Sequence, residues 1–404
     1  MPRCVGGILQ PHLFKELPMK KKVLIALSYI ATAIVTCGLT IFLIQRQIPS
    51  TKLITLENLI LELFPNEVDR TEMEDAAADA MVAALGDRWS YYIPASEYDR
   101  LMESMENSFV GIGITLTDAQ LTGSFQVQAV IPESPADQAG MQKDDVIIQV
   151  DGEAVEGLSL SELSDRIRGE IGTQVSITLR RQEAVVTLNV TRNRIDTVVA
   201  KGNLLDGTIG YVRIENFVAR SAQETLAVIE DLISQGATKL ILDVRFNSGG
   251  YEDELVKILD YLLPEGTLVS NRDKEGKTET FESDAEFLDM PMAVLINEES
   301  YSAAELFAAV LREYDAAQIV GSRTVGKGYY QNLFRLNDGS AVDLSVGRYF
   351  TSKGENLEGI GLIPDVEVPM EDADFEALYY GILDQDQDVQ LQAAVELLMA
   401  DETP

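Results

Sequence analysis

The feature that most constrains the fold is the alternation of apolar strands and amphipathic helices over residues 200–370. Lys239–Arg245 is predicted to be a buried strand, and it ends in a glycine turn, Phe246–Gly250. Met292–Asn297 is a second such strand, and a short turn connects it to a helix that begins near Ser302. Strand, turn, helix and strand in this order are typical of an α/β domain. We therefore predict an α/β core within a multidomain chain of 404 residues.

Charge and rare residues exclude several classes of function. The chain carries 66 Asp and Glu against 32 Lys and Arg, a formal net charge of −34. This acid excess argues against a nucleic-acid partner, because phosphate binding needs clustered basic residues. The chain has one histidine, His12, and two cysteines, Cys4 and Cys37. Residues 47–404 therefore offer neither an imidazole nor a thiol, and we predict no metal site and no cofactor.

An uncharged, apolar run occupies residues 23–44 and follows three consecutive lysines, Lys20–Lys22. A run of this length can span a bilayer as a helix, and the lysines favour a cytoplasmic N-terminus. We predict a cytoplasmic segment over 1–22, a single transmembrane anchor over 23–44 in the cell membrane, and an extracytoplasmic remainder. The alternatives are a cleaved signal peptide and a lipoprotein site at Cys37, and Met19 is a second candidate for the start.

Residues 47–105 are predicted to form a helical segment. A capping box over Thr71–Glu74 precedes apolar residues at helical spacing, and a turn with aromatic residues, Gly86–Pro94, follows them. No residue type or spacing in this segment indicates catalysis. We therefore interpret it as a helical cap that packs on a larger domain.

Residues 106–196 are predicted to be a β-rich domain that resembles a PDZ domain. The specific part is the run from Ser134 to Gly152, where short strands alternate with turns. PDZ domains bind a peptide as an added strand and hold its terminal carboxylate in a Gly-Φ-Gly-Φ loop. The resemblance implies that the peptide-binding residues are Gly111, Ile112, Gly113, Ile114 and Arg168.

A hydroxyl nucleophile is the remaining candidate for chemistry in the α/β core. Ser302 lies at a helix start, where free backbone N–H groups are available, and Ser300 is the competing hydroxyl. A nucleophilic serine needs a base, and His12 precedes the predicted anchor. A neutral, enclosed lysine is the other common base, and Lys327 lies between two glycines that permit close packing.

These motifs, in this order, resemble the carboxy-terminal processing peptidases, the tail-specific serine-lysine proteases. The resemblance runs from about residue 55 to the end and includes GDRWSYYIP, LDVRFNSGG, SYSAAE, TVGKG and GIGLIPDVEV. It implies that Ser302 is the nucleophile, Lys327 the base and Gln331 the residue that orients this lysine. It also implies an oxyanion hole formed by the N–H groups of Gly250 and Ala303. Tyr301 departs from the family pattern, which commonly has a small residue there.

The resemblance also implies the domain order and the function. The protease core is expected over 197–370, with a C-terminal helical segment over 371–404 that packs on it. The expected function is a membrane-anchored serine endopeptidase, whose PDZ domain recognises the accessible C-termini of exported proteins. The alternatives are a PDZ scaffold with an inert core and an esterase. Residues 375–399 either pack on the core or form a homodimer contact, and Glu305 and Glu313 are expected to support the fold by hydrogen bonding.

Overall fold

The computed structural model describes residues 29–36, 51–117 and 124–400, and the chain divides into two units, 1–74 and 75–404. The described helices of the first unit are one over 29–36, α1 (Thr51–Leu63) and the first turn of α2 (Arg70–Ala83). The side chain of Asp69 accepts the N–H of Glu72 at 3.1 Å and so satisfies a free donor at the start of α2.

The predicted fold class included a transmembrane helix over 23–44, and this part of the prediction is wrong. Within the three described ranges, no helix is long and apolar enough to cross a membrane. The structure has a helix over 29–36, whereas 23–28 and 37–44 lie outside the described residues. The fold class that the described residues support is therefore a mixed α/β, multidomain chain.

The second unit continues with β1 (Tyr91–Ile93) and α3 (Ala95–Met105), followed by a β-rich domain. A two-stranded antiparallel ribbon of β2 (Ser108–Gly111) and β9 (Asn193–Asp196) brackets this domain. Its other elements are β3 (Ile114–Leu116), β4 (Phe125–Val130), α4 (Pro135–Gln138), β5 (Val146–Val150), β6 (Glu153–Ala154), α5 (Leu160–Ile167), β7 (Gln174–Arg181) and β8 (Ala184–Thr191).

The sheet of the β-rich domain has the strand order β3-β4-β5-β7-β8, and β6 pairs with β5. Alternate residues of β7, Val175, Ile177 and Leu179, are fully buried, as expected for a strand with one face on a core. In the described part of the chain, β3 is an edge strand. This edge is where a PDZ domain adds a peptide.

The remaining elements form the α/β core and the C-terminal helices. They are β10 (Ala200–Leu205), β11 (Ile209–Ile214), α6 (Ser221–Ser234), β12 (Lys239–Asp243), α7 (Glu252–Leu262), β13 (Gly266–Asp273), β14 (Thr278–Ser283), β15 (Met292–Ile296), α8 (Ala303–Glu313), β16 (Ala317–Gly321), β17 (Tyr329–Arg335), β18 (Ala341–Phe350), β19 (Val366–Glu367), α9 (Asp372–Tyr379) and α10 (Val389–Ala400).

The central sheet has the order β10-β11-β12-β15-β16-β19 and is parallel except for the β10–β11 pair. Both of its faces are covered. Leu240 and Leu242 of β12 pack in the cluster that includes α6, α7 and α8, whereas Ile241 packs in the cluster with Leu391 of α10. The C-terminal helix therefore packs on the core, which is one of the two predictions for residues 375–399.

A second, antiparallel sheet lies beside the core, with the order β1-β18-β13-β14 and with β17 paired to β18. Its β1 strand comes from the N-terminal side of the PDZ-like domain, and Tyr91 pairs with Asp343 of β18. The core therefore uses residues from both sides of the PDZ-like domain in the sequence.

Candidate active site

Ser302 occupies the turn between β15 and α8, as the sequence predicts. It is the N-cap of α8 and has φ 61° and ψ −123°, a backbone conformation that is rare for any residue except glycine. Strain of this kind costs about 1–3 kcal/mol and is concentrated at functional sites. The side chain is half-buried, and the turn holds it where parallel strands end.

The competing hydroxyl, Ser300, has a structural role. Its side chain is fully buried, and Oγ donates to the carbonyl of Val244 at 2.8 Å and accepts the N–H of Asn297 at 3.1 Å. These bonds connect the ends of β12 and β15. Ser300 is therefore committed to the fold, which leaves Ser302 as the hydroxyl available for chemistry in this turn.

The glycine turn after β12 packs directly against the start of α8. A Cβ atom on Gly249 would lie 2.8 Å from the Cβ of Ser302 and 2.9 Å from the backbone nitrogen of Ala303, so only glycine fits. In the described part of the chain, the N–H groups of Gly250 and Ala303 donate to no other residue. Neither N–H group is therefore committed to another described residue, and that of Ala303 directly follows Ser302 in the chain.

Glu305 connects the serine turn to the lysine loop. Its buried carboxylate accepts the backbone N–H of Ser302 at 2.9 Å and that of Lys327 at 2.9 Å, both through Oε2. Its other oxygen accepts the N–H of Gly326 at 2.8 Å and the hydroxyl of Thr324. Ser302 and Lys327 are close neighbours because one carboxylate oxygen holds both backbones. Burial raises the pKa of Glu305, and these hydrogen bonds oppose that effect.

The amine of Lys327 lies among aromatic rings and carboxylates. Its Nζ is 5.1 Å from the ring centroid of Trp89 and 5.9 Å from that of Tyr301. Burial lowers the pKa of Lys327, and the charges of nearby carboxylates, first Asp343 and then Asp87, oppose that effect. The net effect is a lysine that loses its proton more easily than an exposed one.

Gln331 does not make the hydrogen bond to Lys327 that the resemblance implies. Among the described residues, its Nε2 donates to the carbonyl of Tyr329 at 3.1 Å and to Oγ of Ser345 at 3.0 Å. Ser345 in turn donates its backbone N–H to Ser90 at 2.9 Å. Gln331 therefore fixes the strand pair β17–β18 and the turn behind the lysine.

The turn Gly86–Pro94 is part of the site, which corrects its interpretation as a helical cap without a catalytic contact. The indole N–H of Trp89 donates to Glu358 at 3.2 Å, and Glu358 accepts the N–H of Gly328 at 2.7 Å. Arg88 donates to the carbonyl of Gly326 at 3.1 Å. Sequence analysis missed this because the bonded residues are more than 230 positions apart.

Comparison with known proteins identifies the family. Residues 208–368 match the model of peptidase family S41, and residues 126–181 match that of the PDZ domain. A carboxyl-terminal-processing protease of Synechocystis sp. is 31% identical over 331 residues, covering 80% of this chain and 76% of that protein. One of Picosynechococcus sp. is 31% identical over 339 residues, with coverages of 82% and 80%. The chain belongs to the carboxyl-terminal-processing proteases of peptidase family S41.

The fold has relatives among solved structures as well. An S41 protease structure from Bacteroides fragilis is 16% identical and has a TM-score of 0.54, covering 86% of this chain and 97% of that one. At this identity the likeness concerns the fold alone. The family match and the 31% identical relatives identify this S41 peptidase as a serine-type peptidase with a PDZ domain.

The PDZ domain of this S41 peptidase has the predicted loop at the edge strand β3. Gly111 ends β2, Ile114 begins β3, and Gly113 between them has a φ of 83°. Ile112 is buried in the domain core, and its carbonyl accepts the N–H of Ala136 at 2.8 Å. The loop is therefore held by the domain and can offer backbone groups to a ligand.

Arg168, the predicted carboxylate ligand, already binds a carboxylate in this structure. Its Nη1 donates to Oε2 of Glu103 at 3.2 Å, and Oε1 of Glu103 accepts the N–H of Val110 at 3.3 Å. Glu103 lies on α3, which directly follows the turn Gly86–Pro94 in the sequence. An internal carboxylate thus occupies the guanidinium that a peptide terminus would need.

Replacing Glu305 with Gln should impair catalysis more than stability. An amide offers one acceptor oxygen instead of two, so its NH₂ group would face at least one backbone N–H donor in either orientation. We expect kcat to fall about 100-fold with little change in KM, since a buried N–H group without an acceptor costs about 1–3 kcal/mol. Steady-state kinetics on a peptide measure this.

The matched control is Glu313→Gln on the same helix. Glu313 accepts the hydroxyl of Thr351 at 2.6 Å and the N–H of Lys353 at 2.8 Å, and neither belongs to the Ser302–Lys327 pair. Both glutamates support the fold by hydrogen bonding, as predicted. Equal losses of kcat in the two variants would argue against a specific role of Glu305 in holding the site.

Proposed function

We propose that this S41 peptidase cuts protein chains that dock their C-terminal segment in the PDZ groove, with Ser302 as nucleophile and Lys327 as general base. The observation that carries the proposal is the single carboxylate oxygen of Glu305 that binds the backbones of both residues. A strained, half-buried serine near a half-buried lysine suits a serine-lysine peptidase.

The proposed reaction uses these groups in the following order. Neutral Lys327 takes the proton of Ser302, whose Oγ attacks the scissile carbonyl. The N–H groups of Gly250 and Ala303 stabilise the oxyanion that forms. The protonated lysine then gives its proton to the leaving amine, and water hydrolyses the acyl-enzyme. Gln331 has an indirect role, because it stabilises the strand pair β17–β18 next to the loop that carries Lys327.

A fluorophosphonate label tests the nucleophile. The full chain is incubated with the label, digested and analysed by mass spectrometry, and turnover is followed on a peptide with a free C-terminal carboxylate. We expect the label on Ser302 and no label on Ser302→Ala. Label on another serine, with peptide cleavage retained in Ser302→Ala, would refute the assignment.

The same experiment separates the two other functions. A PDZ scaffold with an inert core would bind the peptide and take up no label. An esterase would take up the label and hydrolyse small esters but leave the peptide intact. The PDZ domain supports a peptide substrate, because its open edge strand and loop suit an extended chain end.

Removing the carboxylate of Glu103 should strengthen peptide binding. In Glu103→Gln the guanidinium of Arg168 loses its internal ionic partner, so a peptide carboxylate competes only with a neutral amide. Both side chains are about one-third exposed, so we expect a modest gain in affinity of about three-fold. Fluorescence anisotropy with a labelled peptide measures it. Glu97→Gln on the same helix is the control, and an equal gain for a C-terminally amidated peptide would contradict the explanation.

We further propose that the substrates are exported proteins and that the PDZ and protease domains act outside the cytoplasm. The support comes from sequence: three lysines followed by an uncharged run have the order of an export signal. Digestion of the chain by protease added to intact spheroplasts would agree with this placement. Complete protection, with digestion after lysis, would contradict it.

A further inference from the structure

The chain has one tryptophan, Trp89, and it lies at the catalytic lysine. The rings of Trp89 and Tyr301 stack with their centroids 6.1 Å apart and an interplanar angle of 22°. The Nζ of Lys327 is 5.1 Å and 5.9 Å from the two centroids. A cation within about 6 Å of a ring centroid is attracted by the ring's quadrupole, whereas a neutral amine is not.

Trp89 and Tyr301 are each hydrogen-bonded to segments that carry the proposed reacting groups, Trp89 through its indole and Tyr301 through its backbone. The indole N–H of Trp89 is held by Glu358, which also binds the N–H of Gly328, the residue after the lysine. The backbone N–H of Tyr301 donates to Asn247 at 3.1 Å in the turn that leads to the oxyanion donors. The indole of Trp89 is therefore held beside the lysine loop, and the backbone of Tyr301 is held beside the glycine turn.

We propose that Trp89 and Tyr301 are positioning residues that stabilise the ammonium form of Lys327 after it has taken the proton of Ser302. This inference rests on the proposed function. In serine peptidases with a histidine base, a buried carboxylate stabilises the cation that forms. Here the ring faces contribute to that role, and they favour the protonated lysine at a place where burial disfavours it.

Other charges also act on this amine. The carboxylates are Asp343 on β18, Asp87 in the turn before β1, Glu358 in the loop before β19 and Glu305 on α8. The guanidinium of Arg88 lies 4.1 Å from the centroid of Trp89. These groups remain in every variant below, so a difference between two ring substitutions reports the ring itself.

The first measurement is a pH titration of the intrinsic tryptophan fluorescence, without substrate. Trp89 is the only indole, so we expect a sigmoidal change as Lys327 loses its proton, in the wild type and in Ser302→Ala. The change should be absent in Lys327→Met. A fluorescence titration that persists unchanged in Lys327→Met would overturn the proposal. Because this readout needs no cleavage, it is independent of whether Ser302 is the nucleophile.

The second measurement compares Tyr301→Leu with Tyr301→Phe, two apolar side chains of similar size. Only phenylalanine keeps a ring. We expect the fluorescence midpoint and the rising limb of the pH profile of kcat/KM to lie about one pH unit lower in the leucine variant. We also expect kcat to be about ten-fold lower there. Equal midpoints in both variants would overturn the proposal, even if Lys327→Met did not fold.

Discussion

Ser302→Ala, Lys327→Met and the double variant should all lower kcat/KM by about the same factor, of the order of 10⁴–10⁶. The two side chains act on one proton transfer, so removing either one removes the step. Methionine keeps the length of the lysine stem and omits the buried amine, so the fold should be retained. Steady-state kinetics and thermal unfolding together measure both effects.

Lys257→Met is the matched control for the lysine. This residue is exposed on α7, where it pairs with Asp253 and Glu254. We expect its kcat/KM to be that of the wild type. If the double variant were slower than each single variant by a further large factor, Ser302 and Lys327 would act in separate steps.

The pH dependence of the wild type follows from the state of the lysine. The base works only when neutral, so kcat/KM should rise with pH through the pKa of Lys327. Burial lowers that pKa, and the charge of Asp343 is the first of the opposing effects. The rise should therefore lie below the ordinary lysine range, and Asp343→Asn should move it to still lower pH. A rise at the ordinary lysine value would show that the amine is hydrated.

Arg245→Met should destabilise the fold by about 3–5 kcal/mol, because it removes the cation that binds two buried carboxylates. The guanidinium binds Asp243 and Asp388 with both of their oxygens, at 2.7–3.0 Å, and all three side chains are buried. Asp388 directly precedes α10, so this cluster fixes the C-terminal helix to the strand before the glycine turn. Urea unfolding at pH 7 measures the loss.

The control and the pH dependence separate this cluster from ordinary surface pairs. Arg194→Met removes a cation that is half-exposed beside Glu106, and should cost less than about 1 kcal/mol. Burial alone would raise the pKa of Asp243, but Arg245 outweighs it and holds that pKa below the usual range. The contribution of Asp243 is thus present above an ordinary aspartate pKa of about 4, and is lost as pH falls through the lower, folded value. An Arg245→Met protein as stable as Arg194→Met would contradict this role.

The sequence contained enough to place Ser302 and Lys327, because both lie on short segments between strands of the α/β core. It also contained an unused signal for the ion cluster. Two charged residues, Asp243 and Arg245, follow the apolar residues Leu240–Leu242 of a predicted buried strand, and buried charges need partners. The partner Asp388 could not be identified, since nothing local connects positions 145 residues apart.

The contacts of the turn Gly86–Pro94 and the actual partners of Gln331 were beyond sequence patterns for the same reason. Which strand lies beside β18 depends on how the chain returns after the PDZ domain. The apolar run over 23–44 misled in another way, since hydropathy reports the cost of transfer into lipid and not the structure that the segment adopts.

The long separation of these contacts has a consequence for the order of folding. Ser302 and Lys327 come together by closing a short loop, which costs little chain entropy. Trp89, in contrast, binds Glu358, which lies 269 residues later in the chain. During synthesis the turn that carries Trp89 leaves the ribosome long before its partners exist. The contact between Trp89 and Glu358 therefore cannot form in the nascent chain until residue 358 has been made.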